Sequence, residues 1–246
     1  MRTFRLAWVL AVASFAACDS AGVDDSDAPM DFAEASDGVD APADAEETDA
    51  GPPEDAAEED VAGEEASPAC SPLTVDELAL VLSGDPDTAM DIVTNESPET
   101  DAFLHEVSDC VDPLDPDIVH LVARMRRTLA ASWGGVGLAA PQVGLHRRIF
   151  LAQRTDQPGR PVQAFLNPTI VEYSADTASQ MEGCLSVPGA SPVVLRSLSV
   201  VLDYDGEDGW PVVGEAIGGA RGTQAAYAAR IVQHEYDHLE GILIVD

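Results

Sequence analysis

Lysine is absent from the 246 residues, and no positive side chain of any kind lies between Arg5 and Arg124. All 12 basic residues are arginines, set against 45 acids for a formal charge of −33. A nucleic-acid partner needs a clustered basic face to neutralise phosphates, and none is present, so that class is excluded. A membrane-spanning helix needs roughly 20 apolar residues. The apolar run at 6–17 is too short for that. Internal repeats are missing as well. A hydrophobic content of 46% is nevertheless enough for a core, which excludes disorder of the whole chain. The length allows one ordinary domain with additions, or two small ones. The charge is unevenly spread. Residues 19–69 hold 19 acids and no arginine, whereas residues 111–246 hold 16 acids and 10 arginines.

The first residues read MRTFRLAWVLAVASFAAC. Arg2 and Arg5 precede the apolar run and small residues close it, the layout of a secretory signal peptide. The ending Phe15-Ala16-Ala17-Cys18 resembles a bacterial lipoprotein signal, in which the cysteine is lipidated and becomes the mature N-terminus. Phe15 departs from the small aliphatic residue usual at its place. The expectation is a lipoprotein signal peptide at 1–17, lipidation of Cys18, and an exported protein anchored to a membrane of the cell envelope. The alternatives are an ordinary secretory signal with an incidental cysteine, and a cytoplasmic protein. Residues 18–70 are rich in Asp, Glu, Ala, Pro and Gly, with Val23, Met30, Phe32, Val39 and Val61 as the bulky apolar residues. Such a segment cannot bury enough surface to offset its ordering entropy. Like charges keep it extended. It reads as an acidic disordered tether ahead of a globular domain at 71–246.

Within that domain, Thr74-Val75-Asp76-Glu77 has capping-box form and opens a short helix through Leu82. Ile92-Val93 reads as a short strand. Residues 116–131 place Ile118, Leu121, Val122, Met125 and Leu129 on one helical face. Runs at 148–152, 163–166, 170–173, 193–195 and 198–203 read as strands, and 224–240 as a final helix. Helix, then strands, then helix predicts an α+β fold.

His234-Glu235-Tyr236-Asp237-His238 is an H-E-x-x-H motif. On a helix its two imidazoles share a face and can bind one metal ion, with the glutamate as general base on a water. Histidine pairs at this spacing also occur on solvated helices. His105, His120 and His146 are isolated and read as surface or loop residues. A catalytic metal site needs a third ligand. Glu240 and Asp246 lie downstream; Cys184, within Glu182-Gly183-Cys184-Leu185-Ser186, is the better candidate, although a lone cysteine is more often a small buried hydrophobe. The segment GVGLAAPQ at 135–142 reads on its own as a tight glycine-rich loop packed on the core. It carries no Lys and no following Ser or Thr, so a phosphate-binding role is weak.

Together, GVGLAAPQ at 135–142, EGCLS at 182–186 and QHEYDH at 233–238 resemble the three ordered motifs of peptide deformylases. The similarity covers about 90–246 and includes Asn167-Pro168. It implies antiparallel or mixed sheets packed around a C-terminal helix carrying the H-E-x-x-H motif. Cys184, His234 and His238 would bind one divalent ion, iron(II) by family, with zinc, nickel or cobalt as alternatives. Glu235 would move the proton, and the Gln142 amide and Leu185 backbone N–H would stabilise the oxyanion. Gly135, Val136, Gly137, Leu138 and Gly183 would line the substrate cleft, with Gly137 permitting close approach. Ile231 and Val232 would contribute to a methionine pocket. Glu182 and Arg196 would pair behind the metal loop. The implied reaction releases formate from an N-formylmethionyl peptide by a monomeric enzyme. An exported hydrolase of another formyl or short acyl amide, and a non-catalytic metal-binding lipoprotein, stay open. The family often has an arginine soon after Leu-Ser-Val-Pro. This chain has Gly189-Ala190-Ser191-Pro192 there, which leaves the holding of the peptide in doubt. Cys70 and Cys110 remain, either paired in an oxidising compartment or as two free thiols.

Overall fold

The computed structural model describes residues 70–246; the expected signal peptide, Cys18 and the acidic segment up to residue 69 lie outside the described residues. Three helices come first: α1 (Val75–Val81), α2 (Pro98–Leu104) and α3 (Pro116–Ala131). β1 (Gly137–Ala139), a 3-10 turn (Ala140–Val143), β2 (Ile149–Gln153), β3 (Val162–Tyr173), β4 (Thr177–Met181) and β5 (Val193–Ser197) follow. β6 (Ser199–Asp205), β7 (Pro211–Gly218) and α4 (Gln224–Leu239) complete this α+β arrangement. One sheet has the order β1-β2-β3-β6-β7, and β4 pairs with β5 in a second. Every strand pair is antiparallel.

The helices begin where their caps dictate. Glu77 N–H donates to the Thr74 hydroxyl at 3.3 Å, and Thr74 N–H to the Glu77 carboxylate at 2.8 Å, closing the expected capping box. Asp115 caps α3, whose first residue, Pro116, needs no donor. The face of α3 read from spacing, Ile118 to Leu129, is buried throughout.

The centre of the sheet explains the core. In β2, Ile149, Phe150, Leu151 and Ala152 are all fully buried, although strand side chains alternate between faces. Both faces are therefore covered. Leu138, Ile149, Leu151 and Leu166 pack with Leu121 and Met125 of α3. Ala139, Phe150, Ala152 and Phe165 pack with Ala228, Ala229 and Val232 of α4. Each large apolar side chain so placed contributes roughly 1.5–3 kcal/mol. Helix α4 is thereby fixed against the sheet.

Some expectations are corrected. Ile92-Val93 is not a strand; Val93 N–H instead donates to the Gln142 carbonyl at 2.8 Å. The runs at 163–166 and 170–173 are one strand, β3, interrupted by an irregularity at Asn167-Pro168. Pro168 cannot donate to the ladder. Asn167 takes a left-handed φ of 49°, and its side chain accepts from Val111 N–H and donates to the Val111 carbonyl, both at 2.8 Å. Residues 214–226 hold the end of β7, the Thr223 cap and the first residues of α4. Cys70 and Cys110 form a disulfide. The Ser71 and Pro72 carbonyls, next in the chain to Cys70, accept from Arg147 at 2.7 and 3.0 Å, and Arg147 also grips Glu77 through two bonds of 2.9 and 2.6 Å.

Candidate active site

Arg230, His234 and His238 follow one another at four-residue intervals, so α4 presents all three on one face. The loop after β4 brings Cys184 to that face. Cys184 Sγ lies 3.2 Å from His238 Nε2, and Cys184, His234 and His238 each offer one donor atom within 4.8 Å of the others. His234 Nδ1 meets Glu182 Oε2 at 3.0 Å, which turns Nε2 toward the thiol. A thiolate with two imidazoles is a donor set suited to zinc, nickel, cobalt or iron(II). Three converging donors, one of them anionic as a thiolate, fit one divalent ion.

Glu182 stands behind this cluster. Arg196 reaches it with two bonds of 3.1 and 3.0 Å, as the sequence suggested, and Arg230 also donates to it. Arg196 extends the network to Asp237. Burial alone would raise the Glu182 carboxyl, but hydrogen bonds from His234 and Arg196 hold it down at about 2. Burial likewise opposes a proton on His234, but hydrogen bonds to Cys184 and Glu182 outweigh it and raise the imidazole to about 10. A bound cation would compete with that proton. Burial holds His238 well below its usual value, in the neutral form a ligand needs.

Glu235 is 4% exposed, and its Oε2 has no hydrogen-bond partner among the described residues. Burial pushes its carboxyl up to about 7. Gly137 makes room for it: a Cβ at that position would collide with the Glu235 carboxylate. Gln142 sits in the 3-10 turn. Its Oε1 accepts from Ala139 N–H at 2.8 Å, so its amide hydrogens point to Cys184 Sγ at 3.5 Å and Ser186 Oγ at 3.3 Å.

These groups border a cleft of about 360 Å3. Gln142, Cys184, Leu185, His234 and Glu235 all line it. So do Gly135, Val136, Gly137, Gly183 and Ile231. Leu138 is a correction. Its side chain is fully buried on the α3 side of the sheet, because alternation along β1 sends it away from Gly137's face. Val232 is another, packed between α4 and the sheet while its neighbour Ile231 faces the cleft. His105 caps the end of α2, His146 stacks on Phe103 in a loop, and His120 lies on α3 and bonds the Gly84 carbonyl at 2.9 Å. Sequence reasoning missed Arg230, Trp133, Met181 and Tyr227, which also line the cleft. Arg230 carried a signal: an arginine one turn before His234, on a face that must be buried, needs an acidic partner.

Comparison with known proteins agrees with this geometry. Residues 90–246 match the polypeptide deformylase family. Peptide deformylase 2 of Gloeobacter violaceus is 37% identical over 147 residues, covering 59% of this chain and 74% of that protein. The Met-Ala-Ser-bound class I type b peptide deformylase of Acinetobacter baumannii superposes with a TM-score of 0.55 at 29% identity, over 65% of this chain and 98% of that one. The Thermotoga maritima peptide deformylase gives 0.54 at 34% identity, over 64% and 96%. With a family match spanning most of the chain, and the motifs of that match gathered around one cleft, this chain belongs to the peptide deformylase family.

Proposed function

We propose that the chain hydrolyses the formyl amide of N-formylmethionyl peptides, releasing formate and a free amino terminus. The observation that carries this reading is the meeting of three donor atoms from Cys184, His234 and His238 beside a buried, unpartnered Glu235 oxygen at one cleft. Cys184, His234 and His238 would hold one divalent ion. When bound, that ion supplies Lewis acidity toward the formyl carbonyl and the attacking water. Glu235 accepts the proton of that water and passes it to the amine as the C–N bond breaks. The Gln142 amide, fixed by Ala139, and the Leu185 backbone N–H stabilise charge on the formyl oxygen. Glu182 fixes the ring of His234, and Arg196 and Arg230 fix Glu182. The relative with Met-Ala-Ser bound supports a methionine-first peptide, its side chain directed toward Ile231.

The chain acts outside the cytosol, tethered by a lipid on Cys18 through the acidic segment 18–70. The Cys70–Cys110 pairing supports this, since structural disulfides persist in oxidising compartments. Zinc or nickel suits such a site better than oxygen-sensitive iron(II).

Two experiments test these readings. The full chain, analysed for metal and assayed for formate with a panel of formyl and acetyl amides, should cleave formyl-Met peptides and leave acetyl analogues intact. Cys184→Ala should lose both metal and activity. Cleavage of no formyl substrate with any of iron, zinc, nickel or cobalt would sink the hydrolase reading. For the anchor, labelling with a radioactive fatty acid should mark the wild type and not Cys18→Ser; unchanged size and fractionation of that variant would remove the lipid.

A further inference from the structure

Resting on the deformylase reading of this cleft, we propose that Trp133 and Met181 select formyl peptides whose residues after the methionine are apolar. The cleft has a steep gradient of burial. At its reactive end Gln142 and Glu235 are 1% and 4% exposed, while at its mouth Met181 is 70% and Trp133 99% exposed. A formyl group held beside Cys184 and Glu235 therefore leaves the following residues to pass over the mouth. Trp133 follows Ser132, the C-cap of α3, and precedes Gly134, whose φ of 76° turns the chain into the loop before Gly137. Met181 ends β4. In the ladder it pairs with Val193, and Ser179 with Leu195, so Met181, Val193 and Leu195 share one face. Val193 and Leu195 are 67% and 62% exposed, which extends the apolar ledge outward from the cleft.

Charge at the cleft favours the same substrates. Among the described residues Arg230 is the only arginine lining the cleft, and its guanidinium is occupied by Glu182 and by the Val194 and Ala178 carbonyls. Arg196, the first arginine after the metal loop, is turned to Glu182 and Asp237. No free cation among the described cleft residues remains to receive an acidic side chain, and residues 111–246 are net negative. Apolar contact is what the mouth offers.

The test compares formyl-Met-Leu-Leu, formyl-Met-Ser-Ser and formyl-Met-Asp-Asp on the metal-loaded full chain. A pocket that senses apolar bulk discriminates by roughly 10–200-fold. The expected kcat/KM is at least about tenfold higher for the Leu peptide than for the Ser peptide, carried in KM, and lowest for the Asp peptide. In a Trp133→Ser, Met181→Ser double variant the Leu-to-Ser ratio should fall to about twofold or less, and Trp133→Phe should retain it. Equal values in the wild type, or a ratio unmoved in the double variant, would overturn the proposal. Calorimetry with acetyl-Met-Leu-Leu and acetyl-Met-Ser-Ser reads the same ratio without turnover. If that binding ratio holds and collapses in the double variant while no formyl peptide is cleaved, the selection stands and the deformylase reading falls. If cleavage occurs without preference, the reverse is true. Lost binding to phosphatidylglycerol vesicles in the double variant, with the peptide ratio unmoved, would overturn it in favour of a lipid-facing rim.

Discussion

Gly137 leaves the space that Glu235 occupies, so its effect on chemistry is steric. Gly137→Ala should displace the Glu235 carboxylate while the thiol and imidazoles stay in place. Formate release should fall by about 100-fold, as misplacement by about an ångström commonly costs. Metal content and circular dichroism should match the wild type; activity within twofold of it would refute the steric role. Glu182→Gln acts differently. It removes the charge that orients His234 and neutralises Arg196 and Arg230, so metal affinity should drop about 10- to 100-fold, measured by competition with a chelator. Unchanged affinity would separate Glu182 from the metal site. At this scale the candidate site was legible in the sequence because its motifs are local: His234, Glu235 and His238 share one helix, and Cys184 and Gln142 sit in short segments of recognisable form. Trp133 and Tyr227 were not legible, because their role depends on which surface the fold turns toward them. Leu138 was misread because a three-residue strand is too short to reveal its alternation.

Three of the four helices, α1, α3 and α4, were legible, whereas the short α2 at Pro98–Leu104 was not read. The 3.6-residue spacing in α3 and the Thr74–Glu77 box of α1 are encoded in neighbouring residues, and both appear as read. β4 was hidden by its composition, Thr-Ala-Ser-Gln-Met, and β7 by an internal glycine and an initial proline. β3 looked like two strands because Asn167-Pro168 is ordinarily a turn signal, whereas the sheet absorbs it as an irregularity held by Asn167's bonds to Val111. One contact between elements decides how α1 is held. Arg147 joins the segment before α1 to Glu77 within it. Arg147→Ala leaves these acceptors unpaired and should lower the unfolding free energy by roughly 3 kcal/mol in urea denaturation. The same pair has a pH signature. Burial raises the Glu77 carboxyl, but its bonds to Arg147 and Thr74 outweigh this and lower it below 4.5. The unfolded chain then binds more protons than the folded one in this range. The stabilisation is complete above pH 4.5 and fades as pH falls through the lower folded value. Arg147→Ala should lose most of this acid-dependent loss of stability; an unchanged pH dependence would exclude the pair as its source.

For the molecule as a whole, the disulfide and the charge tell one story. Cys70 and Cys110 close a loop with a sequence separation of 40, which in the chain-entropy account stabilises by about 4 kcal/mol. Replacing both by serine should lower Tm by roughly 10 °C, and addition of a reductant should do the same to the wild type; no shift in either would mean the bond constrains nothing. The sequence left this pairing open, since connectivity is set by which segments the fold brings together. The formal charge of −33 is concentrated away from the cleft-bearing part, where residues 111–246 carry 16 acids against 10 arginines. Two of those acids enter the account of the site: Glu182, held by Arg196 and Arg230, and Glu235, buried with its Oε2 unpartnered. The central claim, that this site hydrolyses a formyl amide with Glu235 carrying the proton, is tested most directly by formate release from a formyl-Met peptide. Wild type and Glu235→Ala should be compared at matched metal content. The wild type should release formate and free amine in equal amounts, and Glu235→Ala should be slower by about 100- to 10,000-fold. Equal rates, or no formate from the metal-loaded wild type, would contradict it.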